Sequence, residues 1–181
     1  MQDWVIVDED YLNFLRSYES RIPFSDYGAD KFKPFFGVLF EIDDLVYVTQ
    51  ISHVQPRHYK MRNSLDFYKI FLYDKSTKIS NRLAAVVNLN YMFPVPKTMV
   101  QIIKYGDINN HRAFSSPQEK SKYINLLKME MNEINKMNLD VKAQKLYRLK
   151  INHPEHNISK RCIDFKFLES KVREYNQKCK V

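Results

Sequence analysis

Apolar and polar positions change their spacing partway along this 181-residue chain. Before Ser116 the apolar residues come in short runs bounded by turn residues, and after it they recur every three or four positions, so strands are expected first and helices last. Trp4, Val5, Ile6 and Val7 form the first run. Residues 35–42 and 45–51 form the next two, and Asp43-Asp44 between them reads as a β-hairpin. Further strands are expected over 66–73, 83–89 and 99–103, separated by Asp74-Lys75-Ser76-Thr77 and by the Pro94/Pro96 pair, about six in all. Asp8 caps a short helix whose apolar side is Tyr11, Leu12, Leu15 and Tyr18, and a loop follows over residues 23–30. Ser116, Pro117 and Glu119 then make a capping box that opens a long helix with Tyr123, Ile124, Leu127, Met131 and Ile134 along one side. That helix breaks near 138–140, a second runs over 141–151 until Pro154, and Ile163, Phe167, Val172 and Tyr175 mark a last one. The pattern predicts an α+β fold in one domain spanning residues 1–181.

Against this regular background one segment is densely polar: Ser52-His53-Val54-Gln55-Pro56-Arg57-His58-Tyr59-Lys60. It follows the hairpin and collects a hydroxyl, two imidazoles, an amide, a guanidinium and an ammonium, the equipment for proton transfer and phosphate binding on a rigid platform. Alternation along a strand sets Ser52 and His53 on opposite faces unless the chain turns there.

The order of these residues resembles the ToxN/AbiQ family of type III toxin–antitoxin endoribonucleases. Lys33 matches a family active-site lysine, and residues 47–52 match a strand leading into a Ser/Thr-Ser-Pro-Lys loop. Pro56-Arg57-His58 and Lys60-Met61 match Pro-Lys-His and Lys-Met. Residues 63–70 match Asn-Ser-x-Asp-Phe-x-Lys-Ile, and Asn88-Leu89-Asn90-Tyr91-Met92-Phe93-Pro94-Val95 matches Asn-Leu-Asn-x-Met-Ile-Pro-Val. Residues 164–171 are more loosely similar to the family's closing Asn-Phe-x-Leu-Leu-Glu-x-Lys. One departure matters: His53, Val54 and Gln55 stand where many members carry a second Ser, then Pro and Lys.

The resemblance implies a strongly twisted antiparallel sheet or partly open barrel similar to Kid/MazF, with helices packed mainly in the C-terminal half. It implies cleavage of RNA without metal or other cofactor, through the strand's own 2′-hydroxyl, to 2′,3′-cyclic phosphate and 5′-hydroxyl ends. Catalysis is assigned to Lys33, Ser52 and His53, with Gln55, Arg57, His58, Lys60 and Tyr47 contacting RNA. Tyr47 and Tyr59 fit base stacking, although a tyrosine in a strand more often serves half-buried packing. The implied partners are cellular and phage RNA and a repeat-derived antitoxin RNA, a pseudoknot, that the enzyme processes and that assembles with it into a multimer during abortive phage infection. Two other readings stay open: an RNA-binding module without catalysis, and a MazF-like toxin with a protein antitoxin, which needs an apolar groove for a peptide.

Charge adds a second candidate surface. The net charge of +8 sits mostly in residues 116–181, with 15 basic and 8 acidic residues, against 14 and 13 before them. Lys142, Lys145, Arg148, Lys150, Lys160 and Arg161 face a single acid, Glu155, between residues 141 and 161, a field suited to RNA phosphates or simply to a solvated helix face. His153-Pro154-Glu155-His156 reads as a loop with two imidazoles, because Pro154 interrupts the helical spacing a metal pair needs. Cys162 and Cys179, both placed in the last predicted helix, are too far apart along it to bridge. With neither a signal-peptide core nor a membrane-length apolar run, a reduced cytoplasmic protein is expected.

Overall fold

Three three-stranded antiparallel sheets carry the N-terminal part of the chain in a computed structural model, which describes residues 1–26, 28, 31–73 and 82–178, without the side chains of 177 and 178. The turn expected at Asp74-Lys75-Ser76-Thr77 and Cys179 lie outside the described residues. In the first sheet β1 (Asp3–Val7) lies between β2 (Phe35–Gly37) and β9 (Val100–Ile102). In the second, β4 (Leu45–Val48) lies between β3 (Glu41–Ile42) and β8 (Phe93–Pro96). In the third, β7 (Arg82–Asn88) lies between β5 (Ile51–His53) and β6 (Phe67–Leu72). Among the described residues no sheet closes into a barrel.

The strands among the described residues number nine rather than the expected six because two apolar runs each serve two sheets and the Pro94/Pro96 segment forms a strand of its own. Residues 35–37 pair with β1, and residues 41–42 pair with β4, so the first run changes partner in between. The second run behaves likewise: β4 pairs with β8, whereas β5 pairs with β7. Thr49 joins the halves to the first sheet by exchanging backbone hydrogen bonds with Phe36, at 2.8 and 3.1 Å. Close approach is needed here, because a Cβ on Gly37 would lie 2.9 Å from Val48 Cγ1. The Pro94/Pro96 pair, read as a separator, lies inside β8. A proline lacks the ladder donor, but β8 is an edge strand and its two prolines, two residues apart, leave that loss on one side.

Helices cover these sheets. Asp8 accepts a hydrogen bond from the Tyr11 N–H (2.9 Å) and caps α1 (Glu9–Arg16), which buries Tyr11, Leu12 and Leu15; Tyr18 lies beyond its end and is exposed. Ser116 caps α3 (Pro117–Lys136) through the Glu119 N–H at 3.1 Å. Asn138 adopts left-handed backbone geometry (φ 51°) at the expected break, and α4 (Leu139–Asn152) follows. Two short helices escaped the sequence reading, α2 (Pro56–Lys60) and α5 (Asn157–Arg161). Cys162 ends α5 and so precedes α6 (Phe165–Lys178), rather than lying within the last helix as expected. One hydrophobic cluster unites strands and helices from Trp4 to Val172. No helix among the described residues is long and apolar enough to cross a membrane.

Candidate active site

Lys33 is held by its backbone. Its N–H donates to the Ser25 carbonyl at 2.8 Å, and its own carbonyl accepts from Gln50 Nε2 at 2.8 Å. The same Gln50 amide, buried between β4 and β5, also donates to the Phe24 carbonyl, and the Tyr123 hydroxyl of α3 donates to the Phe32 carbonyl at 3.0 Å. These bonds, with the antiparallel bridge between Asp26 and Phe32, fix the backbone that carries Lys33.

β5 supplies the next two candidates. Ser52 pairs with Val86 and His53 with Ala85, so strand alternation sets their side chains on opposite faces of the sheet. Val86 belongs to a small cluster with Phe67 and Leu83, and Ala85 to the main core. The Ser52 hydroxyl accepts from Asn88 Nδ2 at 3.2 Å, and the His53 side chain is exposed at the strand end.

Lys33, Ser52 and His53 nevertheless border one cavity of about 580 Å³. Its rim adds Lys31, Arg82 and Arg112, and its apolar wall includes Trp4, Ile51 and Leu127. Arg112 donates to Glu119 at 2.9 Å, spreads over the Tyr123 ring at 4.4 Å, and keeps a buried Nε with no hydrogen-bond partner among the described residues. Set against these cations is Glu130 of α3, which is 5% exposed. Burial pushes its carboxyl up to about 7, against the pull of the Lys33 ammonium. Burial likewise holds Lys33 below its ordinary value, with Glu130 pulling the other way, and burial raises the Tyr123 phenol to about 12. The cavity combines a desolvated cation, permanent guanidinium charge, an imidazole and a carboxyl that titrates near neutrality, which equips it to bind an anion and move protons.

Residues 3–173 match the family of the toxin ToxN of type III toxin–antitoxin systems. The chain belongs to this family. AbiQ, a lactococcal anti-phage endoribonuclease of the type III toxin–antitoxin system, superposes with a TM-score of 0.73 at 18% identity over 98% of this chain and 99% of that one. A chain from a type III system whose toxin is selectively inhibited by a non-coding RNA pseudoknot gives 0.69 at 24% identity over 97% and 98%. A third, from a bacterial antiviral system regulated by a processed non-coding RNA, gives 0.70 at 19% over 95% and 98%. No curated protein matches.

The family-like blocks divide between site and scaffold. Asn88 touches Ser52, but Asp66 takes two 2.8 Å bonds from Arg161 and one of 2.7 Å from Ser64, and Asn90 exchanges bonds with Arg161 and Ile163, tying β6 to α5. His58 is buried and structural in placement: its Nδ1 accepts from the Gln55 N–H at 3.0 Å, its ring lies 5.5 Å from Phe67, and burial, then Arg57 and Lys69, keep it below its ordinary value. Its neutral ring holds α2 in place, leaving Gln55, Arg57, Tyr59 and Lys60 exposed. Tyr47 is fully buried, stacked on Phe40 with ring centres 4.4 Å apart, so the packing alternative describes it and no base reaches its ring. Lys142 lies 4.3 Å from the Tyr68 ring centre, while Lys145 and Arg148 project into solvent; none of the three borders the cavity. His153 and His156 stand at helix ends, where His156 Nδ1 accepts from the Ile158 N–H at 3.1 Å.

Sequence reading missed Gln50, Asn88 as a side chain, Arg82, Arg112, Tyr123 and Glu130. Only Glu130 left a signal: with Tyr123, Leu127 and Ile134 it sits on the apolar stripe of α3, where a carboxyl is out of place.

Proposed function

We propose that the protein is an endoribonuclease toxin whose catalytic cavity is the one bordered by Lys33, Ser52 and His53, and that the whole chain acts as one cytoplasmic toxin unit. The observation that carries this reading is the convergence of those three residues with Arg82 and Arg112 in a ToxN-family chain. RNA brings its own nucleophile. The 2′-hydroxyl attacks the adjacent phosphorus, the P–O5′ bond breaks, and the products are a 2′,3′-cyclic phosphate and a 5′-hydroxyl. The protein has to accept the 2′-proton, offset charge on the phosphoryl oxygens and return a proton to O5′. His53 is the exposed group suited to proton transfer. Lys33 and Arg112 stand where they meet a phosphate, and Ser52, held by Asn88, orients the strand. The arginines take over the charge of the lysine that Gln55 replaces.

The family and the relative inhibited by an RNA pseudoknot support the regulation proposed here, in which a repeat-derived antitoxin RNA occupies the cavity and is itself processed. Incubation with a mixed RNA pool in excess EDTA, followed by end mapping, tests the chemistry. Cleavage leaving cyclic phosphate and 5′-hydroxyl ends is expected. Activity lost in EDTA and restored by magnesium, or 5′-phosphate ends, overturns it.

A further inference from the structure

A buried carboxyl ordinarily collects hydrogen-bond donors, because its desolvation is otherwise uncompensated. Glu130 collects none among the described residues; only 5% of it is exposed, and its carboxyl oxygens keep their access to the cavity. What it has instead is a place in the wall of the cavity, in the field of the Lys33 ammonium, with no hydrogen bond or ion pair joining the two. The charged or titratable groups that line the cavity with it are Lys31 and Lys33 from the segment before β2, His53 from β5, Arg82 from β7, Arg112 from the approach to α3, and Tyr123 of α3 itself. Lysines and arginines supply all the fixed charge of that lining apart from Glu130. A phosphodiester entering this cavity therefore brings the second negative charge into a site that already holds one.

We propose that Glu130 is a positioning residue of the active site: it is the resident counter-ion of Lys33 in the empty cavity, and it takes up a proton from solvent when a phosphodiester takes its place beside that lysine. The inference rests on the reading of this cavity as the RNA-cleaving one. The exchange conserves charge, since one negative phosphate enters and one carboxylate is neutralised. On binding, the lysine is released to the phosphate without a buried carboxylate opposing it.

The test is the pH dependence of RNA affinity. The probe is a short RNA spanning a mapped cleavage site with 2′-O-methyl groups, which removes the nucleophile and leaves the phosphates. A carboxyl at about 7 in the free protein, raised further in the complex, makes binding several-fold tighter at pH 6 than at pH 8. Glu130→Gln, of nearly the same shape, should bind with little dependence on pH, and Glu130→Leu should do the same. As a control for the imidazole in the cavity lining, the series is repeated with His53→Gln, which should retain the dependence. Melting curves confirm that each variant is folded. A Glu130→Gln protein with the parent's full pH dependence overturns the inference, as does a His53→Gln protein that has lost it. If the parent cleaves RNA in either of those cases, the proposed function stands without the inference; if the parent cleaves no RNA, both fall.

Discussion

Glu169 and Glu130 are both buried carboxyls on C-terminal helices, 1% and 5% exposed, yet they sit in opposite circumstances. Glu169 of α6 accepts from the Tyr47 hydroxyl at 2.9 Å, the Tyr147 hydroxyl at 2.6 Å and Lys166 Nζ at 2.9 Å. Those donors come from β4, α4 and α6, so the carboxylate is the polar knot that fastens two helices to the second sheet, inside a shell of Phe40, Tyr47, Tyr147 and Phe165 rings. Glu130 has no donor among the described residues and opens onto a cavity of cations. Burial alone distinguishes neither. A satisfied carboxylate is committed to the fold, and one that has no protein donor among the described residues and opens onto a cavity beside a desolvated lysine remains free to respond to a ligand.

This contrast breaks most sharply under paired substitutions. Glu169→Ala leaves two phenols and an ammonium without their acceptor, and losing one partner of a buried network costs about 3–5 kcal/mol, or roughly 10 °C in melting temperature for a chain of this size. Lys33→Ala should do the reverse, leaving the melting temperature near the parent's while cleavage falls by about 10² to 10³, the usual loss when one contact to developing charge is removed; Ser52→Ala should follow it. Calorimetry and single-turnover cleavage on the same preparations check both. A Lys33→Ala protein as active as the parent would remove this lysine from the chemistry.

A smaller effect sharpens the comparison through pH. The folded-state value of Glu130, about 7, lies above its ordinary 4.5. Stability from this group is therefore fully present below about 4.5 and is lost as pH rises through about 7. Glu130→Gln should match the parent near pH 4, diverge between 4.5 and 7, and be the more stable protein above 7 by up to about 3 kcal/mol. Urea titrations at pH 4, 6 and 8 measure this. A variant less stable than the parent at pH 8 would mean that Glu130 has a donor in solution and resembles Glu169 after all.

How far the sequence reaches follows the same division. Local patterns were readable: Asp8, Ser116 and Asn138 mark helix ends through short-range chemistry, and the stripe of α3 packs as its spacing requires. Strand partners were not. Nothing within residues 45–51 says that its two halves join different sheets, because pairing is decided by residues far along the chain. The candidate site is legible only where it is contiguous. Ser52 and His53 stand together, and Lys33 was placed by resemblance, but Gln50, Arg112, Tyr123 and Glu130 converge from separate elements through long-range contacts. Tyr47 and His58 show the converse: both are expected to contact RNA, and both side chains serve packing, since a strand flanked on both faces and a one-turn helix each need a buried anchor.

The smallest predicted effect concerns α4, whose charges lie outside both regions. Lys142 spends its ammonium on the Tyr68 ring, whereas Lys145 and Arg148 point to solvent without an ion-pair partner among the described residues. If this face grips the antitoxin RNA, Lys145→Ala and Arg148→Ala together should weaken RNA binding across sequences and flatten its salt dependence by about one counterion per lost phosphate contact. Lys142→Ala should change the slope less and the melting temperature more, because its loss uncovers a ring in the core. Cleavage of a short unstructured RNA should fall less than antitoxin binding, since none of these residues borders the cavity. Titrations at several salt concentrations decide the matter. Equal slopes for the double variant and the parent would reduce this stretch to a solvated helix face and leave RNA recognition to the cavity and to the exposed side of α2.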